Sequence, residues 1–456
     1  MKKLLLAGAG LAFLALVGVI GLGFYAAHLI RSLETPEFKA KVAQEASAAV
    51  GAKVQLESLD VSLFRGIRLG GIRIQNPPGW SGDLLVAEGA KLSYDPWALL
   101  RGHVQVDELS VRKLVITMAS DARGTFNYEK LSALAPASQK ETATAPAPTA
   151  AFPKLVVSRL AVEGARFAVV DEKNVAVLRL EGASLESALA VEGGVLSGTG
   201  KARVDSVVLA NALFLRGVRA PLKLTPQRMS LSPLDAKLAG GAVTGEIRVD
   251  FEPDMRYTLL FDATGARVAT LLKEAGSAGT LTGTLKAKAR IEGTGGVPTV
   301  KGGGHAEIKD CRWPKAPLFG VLAGLLLLPE LADPRFDECR VEFAVANAQA
   351  RTPVVSFKGP ALQLTGQGVT HLATSVVDYD LTLALSPGLL AKIPGATVRA
   401  AFKARPDGFG TIDFKVTGTT ASPKTDLAKR FGKAVVIETA KEGLLGKLFG
   451  RKKKQH

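Results

Sequence analysis

The sequence has few of the residues from which catalytic and metal-binding sites are built. Its 456 residues include only five histidines and two cysteines, and the histidines are isolated from one another and from the cysteines. The spacing of zinc ligands is therefore missing, as are the motifs of serine hydrolases, zinc peptidases and phosphate-binding loops. We expect no enzymatic activity, no bound metal and no cofactor.

Large aromatic residues are also scarce, at 6% of the chain, although 47% of the residues are hydrophobic. The 48 glycines are scattered among valine, leucine, alanine and threonine rather than arranged in a repeat. This mixture is typical of many short strands joined by tight turns. A chain of this length forms either several domains or one elongated, quasi-repetitive structure.

Only one uncharged run is long enough to cross a membrane. It extends from Leu4 to Ile30 and follows Lys2 and Lys3. Its most apolar part, residues 4–25, would form a helix of about 33 Å, which matches the hydrocarbon core of a bilayer. A cleavable signal peptide has a shorter apolar region and is the less favoured alternative. Residues 1–30 are thus predicted to form a cytoplasmic N-terminus and a transmembrane anchor, with the remaining chain across the membrane.

Basic residues outnumber acidic ones, giving a formal net charge of +16, but the excess is uneven. Between Lys424 and Lys454, ten lysines and arginines stand against three acidic residues. We expect the basic amphipathic tail, residues 421–456, to bind an anionic membrane surface, and the alternative is a disordered, solubilising tail. No nucleic-acid-binding motif is present, so we expect no nucleic-acid partner. The basic residues expected at the membrane surface are Lys447, Arg451, Lys452, Lys453 and Lys454.

The hydrophobic pattern divides the remaining chain into four segments. Residues 31–53 have the weakly amphipathic pattern of a helical stalk, whereas residues 54–131 alternate apolar and polar residues as strands do. Residues 132–153 are rich in alanine, proline and threonine and are predicted to be a flexible linker. Alternation resumes over residues 154–420, with glycine-rich turns between the strands.

The alternating strands have one apolar face and one polar face, so at least one face of the sheet is solvated. The apolar face could line a groove or fill an ordinary sandwich core, and periodicity alone does not separate these alternatives. The low aromatic content favours a groove, because compact sandwich cores contain more large rings. Val243, Ile247 and Val249 alternate with polar residues in one strand and are the candidate groove residues.

Residues 317–329 form a short, wholly apolar run bracketed by prolines. We expect a short helix buried within the protein, and the alternative is a segment that dips into the membrane. The only two cysteines, Cys311 and Cys339, flank this run in strand-like contexts. They could form a disulfide in an oxidising compartment or remain two buried thiols, and the sequence does not separate these alternatives.

Several turns between residues 54 and 131 have distinct sequence patterns that occur in a definite order. A Leu-x-x-Gly turn at 63–66 precedes an Asn-x-x-Gly turn at 76–79, and a Pro-x-x-Leu-Leu-x-Gly turn follows at 96–102. The region closes with a Gly-x-x-Asn-Trp-x-x-Leu pattern at 124–131, in which Tyr128 replaces the usual tryptophan. In their order these turns resemble the N-terminal region of the AsmA family of envelope proteins. Three later motifs resemble the C-terminal region of that family: Gly366-Gln367-Gly368, Asp378-Tyr379-Asp380-Leu381 and Val416-Thr417-Gly418-Thr419.

This resemblance implies a mainly β protein in which an N-terminal transmembrane helix precedes an elongated, curved antiparallel β-sheet, or β-groove, with a few short helices. It implies a single-pass protein of the bacterial inner membrane, periplasmic in bulk, related to bridge-like lipid transfer proteins. The expected function is to bind or convey lipid acyl chains and so contribute to outer-membrane lipid homeostasis. The expected partners are the inner membrane, phospholipid, and the inner leaflet of the outer membrane or envelope proteins. A scaffold for outer-membrane protein assembly that carries no lipid is the alternative.

Overall fold

The computed structural model describes residues 36–62, 66–97, 104–131, 154–192, 195–251, 256–277, 279–294, 299–372, 374–420 and 422–430. The chain divides into two compact units. Unit 1 comprises Met1–Leu238, Ala242–Leu260 and Glu292–Gly296, and unit 2 comprises Ala239–Gly241, Phe261–Ile291 and Val297–His456. The described residues contain 21 strands.

Unit 1 begins with helix α1 (Pro36–Val50), which ends where Gly51 adopts the left-handed conformation at φ 77°. The hydroxyl of Ser47 joins this helix to the first strand, because its Oγ accepts a hydrogen bond from the Val54 amide at 2.8 Å. The strands that follow are β1 (Val54–Ser62), β2 (Gly66–Gln75), β3 (Asp83–Tyr94), β4 (Val104–Arg112), β5 (Val115–Ala119), β6 (Lys154–Val170), β7 (Ala176–Glu192), β8 (Val195–Leu209), β9 (Leu213–Leu224), β10 (Arg228–Leu238) and β11 (Gly241–Asp250). A 3₁₀ turn, η1 (Asn127–Lys130), lies between β5 and β6.

Most neighbouring strands in unit 1 pair in the antiparallel sense, in sequence order from β1 to β3 and again from β6 to β10. Strand β6 is the exception, since it pairs in parallel with both β4 and β5. Parallel neighbours require a crossover of about a dozen residues or more, and here the connection from Ala119 to Lys154 supplies it. The sequence predicts only antiparallel pairing, so the parallel pairing of β6 with β4 and β5 is not predicted from it.

The core of unit 1 lies beneath β1 to β7. Leu84, Leu109 and Met118 are fully buried there, and Val42 of α1 packs against the same cluster. These residues follow the two-residue period of their strands, so the alternation in the sequence positions one continuous apolar face.

Three strands have residues in both units: β11, through Gly241, β12 (Arg256–Arg267) and β13 (Thr282–Gly293), and helix α2 (Val268–Glu274) lies between the last two. The remaining strands of unit 2 are β14 (Lys301–Arg312), β15 (Arg335–Ala346), β16 (Gln349–Lys358), β17 (Leu362–His371), β18 (Val377–Leu385), β19 (Lys403–Ala404), β20 (Gly410–Gly418) and β21 (Pro423–Thr425). Short helical segments join them: α3 (Pro317–Leu326), η2 (Pro329–Ala332), α4 (Pro387–Lys392), α5 (Ala396–Ala400) and α6 (Leu427–Arg430).

From β14 to β18 the strands pair antiparallel in sequence order, and β18 then pairs with β20. Helix α3 starts at a proline and stops where Leu327 adopts the left-handed conformation at φ 53°. Its inner residues Phe319, Leu322 and Leu326 are at most 1% exposed and pack in the core of unit 2. Val321 on its outer side is 49% exposed, so the helix is buried on one side only.

The structure confirms a mainly β, predominantly antiparallel fold with a few short helices. Among the described residues, no helix is both long and apolar enough to cross a membrane. The predicted anchor (1–30), the linker (132–153) and the membrane-surface residues Lys447, Arg451, Lys452, Lys453 and Lys454 lie outside the described residues, as do residues 63–65 and 98–103 of the family turns.

Candidate functional site: the open apolar face of the sheet

A row of apolar residues crosses five strands of unit 1 on one face of the sheet. The pairing register places Val157 of β6 opposite Leu189 of β7, and Leu189 opposite Gly198 of β8. Gly198 in turn lies opposite Leu224 of β9, which pairs with Met229 of β10. Directly opposed residues project to the same side of a sheet, so the row is a continuous apolar strip.

Exposure along this strip changes from one end to the other. Val157 and Leu189 are 3% and 9% exposed, whereas Leu224 and Met229 are only half-buried. The neighbouring row behaves in the same way, since Leu160 of β6 is 9% exposed whereas Leu222 of β9 is half-buried. Half-buried leucines and methionines retain apolar surface that water can reach, which is unfavourable unless another apolar group covers it. This part of the sheet therefore offers apolar surface to a ligand.

Strand β8 carries only small residues over part of that surface. Its apolar side carries Gly198, Gly200 and Ala202, which we call the β8 trough, over about 13 Å of strand. A Cβ atom at Gly198 would lie only 2.6 Å from Leu189 Cδ2, so a side chain there would displace its neighbour.

Leucines of the two neighbouring strands stand on either side of the trough. Leu189 and Leu185 belong to β7, and Leu224 and Leu222 belong to β9. Leucines thus border a floor of small residues at four of the six neighbouring positions, and the other two are Ser187, opposite Gly200, and Ala220, opposite Ala202.

In unit 2 a comparable strip is covered by helices. The register aligns six residues of β14 to β18 and β20, in the order Ile308, Cys339, Phe357, Leu364, Leu383 and Ile412. Helix α3 lies over the core that contains most of them, and Phe319 of α3 stacks near Phe336 at a ring-centroid distance of 5.7 Å. Away from α3 the same face is only half-buried, at Val341, Phe343 and Val345. Unit 2 thus has one covered and one open part of its apolar face.

The three groove residues predicted from the sequence lie together in β11, but in different environments. Val243 and Val249 are 2% and 1% exposed, whereas Ile247 is half-buried. Only Ile247 is therefore accessible to a ligand without a change in packing. The β8 trough was missed, although its pattern of Gly198, Gly200 and Ala202 alternating with Lys201 and Arg203 is visible in the sequence.

The cysteines Cys311 and Cys339 are free and buried in the core beneath α3. They lie on paired strands, but Cys339 pairs with Ile308, three residues before Cys311. Their thiols are in hydrogen-bonding contact, and this contact, with burial, raises the pKa of the Cys339 thiol. A disulfide requires Cα atoms within about 7 Å, and a three-residue offset along a strand exceeds this unless the backbone shifts. This offset favours the alternative of two buried thiols.

The opposite, polar face of unit 1 carries a ladder of alternating charges. Lys91 Nζ lies 2.8 Å from Glu108, Arg159 bridges Glu108 at 3.3 Å, and Arg159 also reaches Glu186 at 3.0 Å. A hydrogen bond from Lys91 holds the pKa of the Glu108 carboxyl below its usual range. This face is hydrated and ion-paired, so the two faces of the sheet differ sharply in polarity. Within the described residues no group of three His, Cys, Asp or Glu side chains could hold a metal ion.

The fold and this surface define a class: β-sheet proteins whose polar face is solvated and whose apolar face is partly open. The family model described as the AsmA family matches residues 1–224, which include β1 to β9 and the whole β8 trough. This match confirms, over residues 1–224, the resemblance to the AsmA family that the order of the turns indicates. No curated protein and no solved structure matches it significantly.

Proposed function

We propose that this protein binds or conveys lipid acyl chains along the open apolar face of its sheet. It would be anchored in the inner membrane with its bulk in the periplasm, and would contribute to outer-membrane lipid homeostasis. The observation that carries the proposal is the β8 trough, where small residues form a floor between leucines that remain half-buried at Leu222 and Leu224.

The energetics favour a hydrocarbon ligand over a polar one. An acyl chain placed in the trough is removed from water itself and also covers the exposed parts of the leucine side chains. Each methylene group buried in this way contributes about 0.8 kcal/mol, so a segment of several methylenes would bind without any hydrogen bond. The described trough residues offer no charged side chain on this face to hold a polar ligand.

A scaffold that carries no lipid would use the sheet differently. It would require the apolar face to be covered by a protein partner or by the chain itself, and would need no affinity for hydrocarbon. The half-buried state of Leu222, Leu224 and Met229 is compatible with either kind of cover, but the continuous floor of small residues favours a narrow, flexible occupant such as an acyl chain.

The phospholipid content of the purified protein distinguishes lipid binding from a scaffold function. Residues 54 to 420, produced in the periplasm and purified without detergent, are extracted with organic solvent and analysed by mass spectrometry. We expect phospholipid in a reproducible molar ratio to protein. Protein that is folded and free of phospholipid would favour the scaffold and contradict the proposal.

A further inference from the structure

The polar face of β8 and β9 carries a cluster of basic residues that the acyl-chain proposal does not use. Lys201 and Arg203 of β8 and Arg219 and Lys223 of β9 are all exposed, and we call these four residues the basic patch. Arg203 lies directly opposite Arg219 in the pairing register. Like charges placed directly opposite each other destabilise a sheet, so this pair is unfavourable for folding.

The acidic residues around the patch do not neutralise it. Glu186 lies opposite Lys201, but its carboxylate binds Arg159 at 3.0 Å. Asp235 lies opposite Arg219 and Asp205 follows Arg203 by two residues, yet within the described structure neither forms an ion pair with the patch. By contrast, the charges on β3, β4, β6 and β7 alternate in sign and are paired. The unpaired basic patch is thus a local departure from the pattern of the same sheet face.

We propose that the basic patch docks this protein on a membrane surface rich in anionic phospholipid. Two guanidinium groups on adjacent strands suit phosphate groups, because arginine donates paired, planar hydrogen bonds to phosphate oxygens. Lys201 and Lys223 extend the positive surface along the strands on one side of the arginine pair. The patch lies on the same strands as the β8 trough but on the opposite face, so a docked membrane and a bound acyl chain do not compete for the same side chains.

Because Arg203 and Arg219 repel each other, a substitution at Arg203 distinguishes a role in membrane docking from a role in stability. Arg203→Glu places a carboxylate opposite Arg219 and converts repulsion into attraction, so the thermal midpoint should rise while membrane docking weakens. A residue retained for stability alone would give the opposite change in the midpoint. The matched control is Lys286→Glu, which makes the same charge change at an exposed position of β13.

A fluorophore attached beside the basic patch reports membrane docking at that place, so other membrane-binding segments do not contribute to the signal. Thr199→Cys puts a thiol on the exposed side of β8, opposite Lys223, for an environment-sensitive fluorophore. Cys311 and Cys339 are 2% and 3% exposed and stay unlabelled in the folded protein. The labelled full chain in nonionic detergent is titrated with mixed micelles that contain phosphatidylcholine or phosphatidylglycerol.

We expect a blue shift and increased emission with phosphatidylglycerol only. Arg203→Glu should raise the half-maximal lipid concentration about 30-fold, because each basic residue near an anionic surface contributes about fivefold and the substitution changes two charges. The proposal would be overturned if the fluorophore responded equally to both lipids. It would also be overturned if Arg203→Glu left the half-maximal lipid concentration unchanged, or if Lys286→Glu raised it as much as Arg203→Glu does. Abolition of the response by soluble glycerol phosphate at equivalent phosphate concentration would likewise overturn the proposal, because it would assign the patch to a free phosphate compound. The acyl-chain function is tested separately by phospholipid content, so either proposal can fail alone.

Discussion

Asn127 Nδ2 donates a hydrogen bond to Asn76 Oδ1 at 2.7 Å and so joins two turns that lie 51 residues apart. The same amide group donates to the Thr117 carbonyl, and its oxygen accepts from the Ala119 and Tyr128 amides. Asn76 in turn donates to the Ser81 carbonyl within its own turn. Both asparagines belong to the turn patterns that indicate the AsmA family, and their contact gives a physical reason for an asparagine at each position.

Replacing Asn127 should destabilise unit 1. Asn127 is completely buried, so Asn127→Ala leaves the Ala119 and Tyr128 amides without their acceptor, at about 1–3 kcal/mol for each unsatisfied group. Chemical denaturation followed by circular dichroism measures the change in the free energy of unfolding. Gln227→Ala, at an exposed amide side chain, is the matched control and should change stability little. An Asn127→Ala protein as stable as the control would contradict the role of this hydrogen-bond network.

Stability at acidic pH should depend on Glu108. The hydrogen bond from Lys91 lowers the pKa of the Glu108 carboxyl in the folded state below its ordinary value of 4.5. The ionised Glu108 carboxylate therefore makes its full contribution to the free energy of unfolding above that ordinary pKa. The contribution is lost as the pH falls through the lower pKa of the folded state. Glu108→Gln should lower the free energy of unfolding by less than about 1 kcal/mol at pH 7, and the difference from wild type should vanish in acid. Thermal unfolding midpoints of the wild type and Glu108→Gln, measured from pH 7 into acid, check this prediction. The control Glu172→Gln, at an exposed turn, should follow the wild-type curve.

The two cysteines should be reduced thiols in the folded protein. Because Cys311 and Cys339 are offset by three residues across β14 and β15, we expect no bridge without movement of the backbone. Protein purified without reductant should react with a thiol reagent at neither cysteine while folded and at both after denaturation. Protection of both cysteines in denatured, unreduced protein, with a mass lower by two hydrogens, would show a disulfide instead.

A carboxylate in β11 should have different effects at two of its apolar positions. Val249 is 1% exposed, so Val249→Asp buries a charge at a cost of several kcal/mol and should deplete the protein. Ile247 is half-buried, and Ile247→Asp can stay hydrated, so we expect normal abundance with reduced phospholipid content. Immunoblotting and lipid analysis of the two variants give both quantities. Normal lipid content in Ile247→Asp would exclude this segment from the lipid path.

The sequence predicts the strands well because side chains alternate strictly along a strand, as Gly198, Gly200 and Ala202 do against Lys201 and Arg203. It does not predict strand partners, which are set by contacts distant in the chain, and so it misses the parallel pairing of β6 with β4 and β5. For the same reason Val243, Ile247 and Val249 are equivalent by period but differ in burial. Depth of burial depends on what packs above a strand, and periodicity carries no information on that.

Site-specific photocrosslinking in cells tests the central claim most directly. A photoreactive phenylalanine analogue is placed in turn at Leu222 and Leu224 of β9, which border the β8 trough, and at Glu172 and Lys286, which are exposed and lie outside the basic patch. After irradiation of cells and purification of the full chain, mass spectrometry detects phospholipid adducts. The lipid-groove account predicts adducts at positions 222 and 224 and none at 172 and 286. Equal adducts at all four positions, or none at 222 and 224 in folded protein, would contradict it.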